Sequence, residues 1–128
     1  GHRLVYSMME LVSQASFSDA HETLAIPVIA ANMHRVIQPA QSQIWAVLRA
    51  KDDADRLTYS LTSTFLGRMC LSGDIYDLTA QQLSLVEEAV SFYRKAAQII
   101  RSGKTTRIEC STESYNHPNG QQDYCRVW

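Results

Sequence analysis

The chain has 128 residues, 45% of them hydrophobic and 20% charged, with a formal net charge of −1. That balance describes an ordinary soluble protein and gives no broad steering toward nucleic acid or an acidic membrane. No apolar run approaches the roughly 18 residues a membrane span requires, and the first residues lack a signal-peptide core.

From Arg3 to Gln14 the apolar residues Leu4, Val5, Met8, Leu11 and Val12 fall at helical spacing, so a short amphipathic helix is predicted. Ala15 to Ser18 comes next as a short strand. Pro27 suits the first turn of a second helix, running through Val28, Ile29 and Met33 toward Val36, and Pro39 ends it. Gln43 to Leu48 fits either a buried strand or a helical turn, with Trp45 as core packing. Asp52-Asp53-Ala54-Asp55 caps a helix from about Asp53 to Leu66, with Leu57, Leu61, Thr64 and Phe65 along one side.

Arg68 to Leu71 reads as a short strand buried on both faces, closing in the turn Ser72-Gly73-Asp74. Thr79 with Gln82 makes a capping box. Leu83, Val86, Val90, Tyr93, Ala97 and Ile100 then form one apolar helical stripe, and the helix ends at Gly103. After Gly103 the character changes: Thr105 to Cys110 is β-prone, Ser114 to Gln122 is a turn-rich loop, and Tyr124 to Trp128 is a further strand. Arg94-Lys95 and the Arg101 to Lys104 group read as a solvated helix face and helix end.

Cys70, Cys110 and Cys125 are an odd number without a C-x-x-C pair, which argues against a disulfide framework or a zinc ribbon and makes a reducing, cytoplasmic compartment the default. Cys70 sits mid-strand as a small buried side chain, and a Cys110–Cys125 bridge is compatible with a loop between them. His21 and Glu22 do not make a zinc helix, because the second histidine of H-E-x-x-H would stand where Ala25 is. His34 reads as structural. Gly103-Lys104-Thr105 lacks the earlier glycine of a phosphate loop, whose place is taken by Gln98, and no serine has a Gly-x-Ser-x-Gly context.

Two stretches carry a family resemblance. The turn Ser72-Gly73-Asp74-Ile75, succeeded by the Thr79–Gln82 cap, resembles the end of the eighth strand and the start of the last helix in the catalytic barrel of α-galactosidases (melibiases), glycoside hydrolase families 27 and 36. Earlier in the chain, His2 to Met9 and then Phe17-Ser18-Asp19-Ala20-His21-Glu22 resemble the family-36 succession of a glycine-rich turn, a short helix and a Trp-Thr-Ser-Asp-Asp-Thr-Asp strand end. The chain departs from that pattern in keeping only Gly1 of the glycine run, in Val5 for a common Asp, and in Phe17 for the Trp-Thr pair.

The resemblance implies an α/β fold, a partial (β/α)8 barrel of about strands five to eight over residues 1–103, with residues 104–128 opening a C-terminal β-sandwich. A whole barrel takes about 200 to 250 residues, more than the chain has. The resemblance also implies a retaining glycoside hydrolase acting on terminal α-linked galactose or a related sugar, with Asp19 as general acid/base and no cofactor or metal. By spacing alone Asp19 fits a helix cap or an Asx turn better.

The family's nucleophile lies in a Lys-x-Asp motif on the fourth strand. In this chain the Lys-x-Asp match, Lys51-Asp52-Asp53, falls in the acidic run read as a helix cap rather than on a strand, so the segment alone is expected to be inactive and to need the remainder of the barrel. Arg3, His21, Asp74 and Tyr76 are the substrate-binding candidates, Arg3 through its place after the glycine turn and Tyr76 as a ring that could stack on a sugar. A non-enzymatic helical interaction module, with Asp19 as a cap, is the alternative.

Overall fold

The computed structural model describes residues 6–16, 25–110 and 122–127. In chain order these form α1 (Ala25–Met33), β1 (Gln43–Leu48), α2 (Ala54–Ser63), β2 (Arg68–Gly73), α3 (Ala80–Ser102), β3 (Lys104–Cys110) and β4 (Gln122–Val127), with 3-10 turns at Tyr6–Met8, Thr64–Leu66 and Ile75–Asp77. The fold is mixed helix and strand, built on two small sheets: β1 pairs with β2 in parallel, and β3 with β4 antiparallel. No closed barrel is formed among the described residues.

The Gln43–Leu48 run is a strand. It is buried on both faces, which is why its apolar residues are nearly continuous rather than alternating. Ala46 and Leu48 join Leu57 and Leu61 of α2, Leu78 and Val86 in one core cluster, while Ile44 and Val47 pack with Ile26 and Ala30 of α1 in another. Leu57 and Leu61 are essentially inaccessible, and each contributes about 1.5 to 3 kcal/mol by leaving water. Trp45 is half-buried against the second cluster and donates its indole N–H to Ser16 Oγ at 3.0 Å.

The two parallel strands are tied to one another at both ends. Arg68 N donates to Ser42 O at 2.7 Å and Asp74 N to Leu48 O at 2.8 Å, so the backbone groups of even-numbered β2 residues face β1 and those of odd-numbered ones face outward. The outward groups at the start of β2 are taken by one side chain: Tyr93 Oη donates to Gly67 O at 3.1 Å and accepts from Met69 N at 3.2 Å. Beyond Met69 that edge carries no strand among the described residues.

The amphipathic helix expected over Arg3–Gln14 is not formed where it is described. A single 3-10 turn at Tyr6–Met8 gives way to further turns, and Leu11 is 83% exposed. The reason is non-local: Gln41 Nε2 donates to Met9 O at 2.6 Å and Val12 O at 3.0 Å, and Arg68 donates to Ser13 O at 2.7 Å, so carbonyls that helix propagation would use are held from elsewhere. The strand expected at Ala15–Ser18 is a single parallel bridge, Ala15 to Ser42, with Ala15 O accepting from Gln43 N at 3.0 Å. Residues 17 and 18 of that expected strand lie outside the described residues.

The caps fall where expected. Asp53 accepts from Arg56 N at 2.8 Å, and Thr79 with Gln82 forms a reciprocal capping box. The last turn of α2 tightens into 3-10 geometry at Thr64–Leu66, while the hydroxyls of Ser60, Ser63 and Thr64 donate to carbonyls of the preceding turn. In α3 the buried stripe begins differently from the apolar spacing: Leu83 is 40% exposed and its neighbour Gln82 is buried.

β3 continues from α3 through Gly103 without a linker. Its register with β4 sets Cys125 opposite Thr106 and Cys110 opposite Gln122. That offset, four residues on β3 and three on β4, is about 10 to 13 Å, beyond disulfide reach, so the Cys110–Cys125 bridge is excluded, and Cys125 is a free, exposed thiol. Cys70 is half-buried and accepts from Gln43 Nε2 at 3.1 Å.

Candidate functional site

The carboxyl ends of β1 and β2 are joined by polar contacts. Arg49, the residue after β1, places Nη1 3.3 Å from Asp74 Oδ1, and the Ala50 N–H reaches Asp74 Oδ2 at 3.4 Å. Asp74 therefore spans the two strand ends, with both carboxylate oxygens engaged from the same side. The pair is partly solvated, the side chains being 43% and 39% exposed, so water screens most of its Coulombic attraction.

Gly73 makes this approach possible. Its φ is +96°, a left-handed conformation that side chains rarely adopt, and a Cβ there would collide with the Leu48 carbonyl oxygen. The chain then turns through Ile75–Asp77, held by Asp77 N donating to Asp74 O at 2.9 Å. Tyr76 stands at the crest of this turn with its ring wholly in solvent, 102% exposed. An unpacked aromatic of this kind offers a flat face for stacking.

Gln82 fixes the other side of the edge. Its Oε1 accepts from Thr79 N at 2.8 Å while its Nε2 donates to Ala50 O at 3.0 Å and Asp52 O at 2.9 Å. One buried amide thus caps α3 and clamps the loop after β1, using an acceptor and two donors as only Asn or Gln can. The sequence shows the capping box but not the clamp, because the carbonyls it holds lie about thirty residues away in the chain. Arg49 likewise has no local signal; its relation to Asp74 comes from the parallel register.

Of the residues proposed from sequence, Asp74 and Tyr76 share this edge, whereas Arg3, Asp19 and His21 lie outside the described residues. His34, read as structural, lines a cleft at the opposite end of the strands, where burial and the positive charge of Arg126 hold its pKa down at about 4 against a weaker upward pull from a Leu66 backbone hydrogen bond. No group of three or more His, Cys, Asp or Glu that could hold a metal ion occurs among the described residues, and no described helix is long and apolar enough to cross a membrane. No family model, curated protein or solved structure matches the chain.

Proposed function

We propose that this chain forms the C-terminal part of the catalytic barrel of a retaining, α-galactosidase-like glycoside hydrolase that removes terminal α-linked galactose or a related sugar. The observation that supports it most is the carboxyl edge of the β1–β2 pair, where Asp74 and Tyr76 come after a parallel strand and lead into a capped helix in the order of the resembling enzymes. In parallel α/β folds ligand-binding groups gather at that edge, since loops leaving the strands converge there. The parallel bridge at Ala15 adds a third chain segment running the same way, four residues before Asp19.

In this reading Asp19 protonates the leaving oxygen and then deprotonates water, while a carboxylate on another strand, absent from this chain, forms and releases the glycosyl intermediate. Arg3, His21, Asp74 and Tyr76 make the pocket wall. Residues 104–128 open the domain that succeeds the barrel. A competing reading is a non-enzymatic interaction module, favoured by the exposure of Tyr59, Leu83 and Phe92 on α2 and α3.

The test is hydrolysis of an aryl α-galactoside by the polypeptide that joins this segment to a strand ending in Lys-x-Asp, with the product anomer monitored by NMR. Retention requires α-galactose to appear first. No turnover, or β-galactose first, would overturn the assignment.

A further inference from the structure

We propose that the cleft between the end of α1 and the junction of α3 with β3 binds a small oxyanion, a phosphate or carboxylate group. It is a concavity of about 470 Å³, at the end of the strands opposite to Asp74. Ile37 and Ile100, 5% and 6% exposed, form its floor, and Arg35, Gln38, Arg101 and Thr105 are on its walls. Its volume lies within the range of ordinary small-ligand sites, about 300 to 1,000 Å³.

The charge around it is one-sided. Among the described residues no carboxylate lines the cleft, and both wall arginines are exposed side chains with no described acidic partner. A third guanidinium stands directly behind the lining: Arg126 Nε donates to Thr105 Oγ1 at 2.8 Å and Nη2 to Leu66 O at 3.0 Å, while its Cγ lies beside Gly103. The ion pair described in this structure, Arg49–Asp74, is at the other end of the strands. Two arginines therefore line the concavity and a third lies behind it, in a chain whose formal net charge is −1, without a counter-charge among the described residues.

An oxyanion is the ligand this arrangement suits. Guanidinium forks match phosphate and carboxylate oxygens in two-bond geometry, and Gln38 and the Thr105 hydroxyl can add neutral donors. The carbonyl end of α3 opposes an anion, but this partial charge is smaller than that of two full guanidinium groups. The apolar floor leaves room for a ligand body beneath the charged group. The assignment is independent of the glycosidase reading.

Backbone amide shifts should be monitored while the chain is titrated with inorganic phosphate near neutral pH in about 0.15 M NaCl, where non-specific surface attraction is screened beyond about 8 Å. Citrate is titrated in parallel. Saturable shifts at Arg35, Gln38, Gly103 and Thr105 are expected, with affinity falling at least roughly tenfold in the Arg35→Ala/Arg101→Ala double variant and unchanged in Arg94→Ala. Tighter binding of phosphate assigns a phosphate ligand, and tighter binding of citrate a carboxylate. Both substituted arginines are exposed, and an unchanged melting temperature checks that the double variant keeps the fold. Shifts that do not saturate with either anion, or that weaken equally in Arg94→Ala, would overturn the proposal.

Discussion

Gly73 lies against the carbonyl oxygen of Leu48, and this contact sets how β2 leaves the sheet. Two independent penalties meet there for any other residue: a φ of +96° and a Cβ directed at backbone that cannot move without breaking the Asp74 N to Leu48 O bond. Gly73→Ala is expected to destabilise the protein by about 2 to 4 kcal/mol, more than Ala at an ordinary exposed loop glycine, as measured by chemical denaturation. A loss below about 0.5 kcal/mol would mean that the turn relaxes freely.

The Gln82 clamp predicts a charge-dependent result. Gln82→Glu keeps the acceptor for Thr79 N but turns two donors into a carboxylate facing the carbonyls of Ala50 and Asp52. That contact favours the neutral acid and raises the carboxyl pKa in the folded state. The variant should therefore be about 1 to 3 kcal/mol less stable than wild type at neutral pH, and the deficit should shrink as pH falls through the raised folded-state value toward the unfolded one near 4.3. Gln82→Ala, carrying no charge, should show a deficit without that pH dependence. Thermal melts across pH separate the two.

Asp74 and Arg49 make the opposite kind of pair, solvated and tolerant. A double-mutant cycle on Arg49→Ala and Asp74→Ala should give a coupling of about 0.2 to 1 kcal/mol, declining with added salt. If Asp74 also contacts sugar in the assembled enzyme, Asp74→Ala there raises KM or lowers kcat/KM far more than it lowers the melting temperature. Equal and small effects on both would leave Asp74 only as the tie between strand ends.

His34 should shape the acid limb of stability. Burial and Arg126 hold its pKa at about 4, below the ordinary 6.5, so between those values the unfolded chain binds a proton that the folded chain refuses. Stability contributed at this site is therefore fully present above about pH 6.5, is lost as pH falls, and is gone below about 4. Replacing His34 by Phe should flatten that part of the profile by less than one proton's slope, whatever it does to stability near neutral pH. An unaltered slope would place the acid sensitivity in other groups.

The elements legible in the sequence are those written locally. The Asp53 cap, the Thr79–Gln82 box and the strand starting at Arg68 each need only a few neighbouring residues, although that strand, expected to be buried on both faces and to stop near Ser72, is half-buried and runs on to Gly73. Gln43–Leu48 is ambiguous by sequence because a short apolar run has no period to distinguish a buried strand from a helical turn; pairing with β2 decides it. The helix expected from Arg3 to Gln14 fails over its described part, from Tyr6 on, because Gln41, distant in sequence, takes the carbonyls of Met9 and Val12. At the candidate site Asp74 and Tyr76 are visible through their turn, whereas Arg49 and the second role of Gln82 arise only once β1 lies beside β2. Leu83 misleads for the same reason, since the helix face is rotated by the burial of Gln82.

Asp19 makes the sharpest demand on the proposed function, because a two-step mechanism predicts a pattern rather than a simple loss. Without the acid/base, cleavage slows most for poor leaving groups, which need the proton, and the second step slows because no base activates water. Activated aryl groups depart without that help. In the assembled enzyme Asp19→Ala should therefore be crippled on α-galactosyl oligosaccharides, retain measurable first-step cleavage of an aryl α-galactoside, and be partly rescued by azide, which attacks the intermediate without general-base assistance and leaves a galactosyl azide that can be identified. A helix or turn cap would behave otherwise: its loss costs about 0.5 to 2 kcal/mol of stability and affects all substrates alike. Equal losses on both substrate types, no azide product and a lowered melting temperature would assign Asp19 to the scaffold and move the catalytic acid elsewhere.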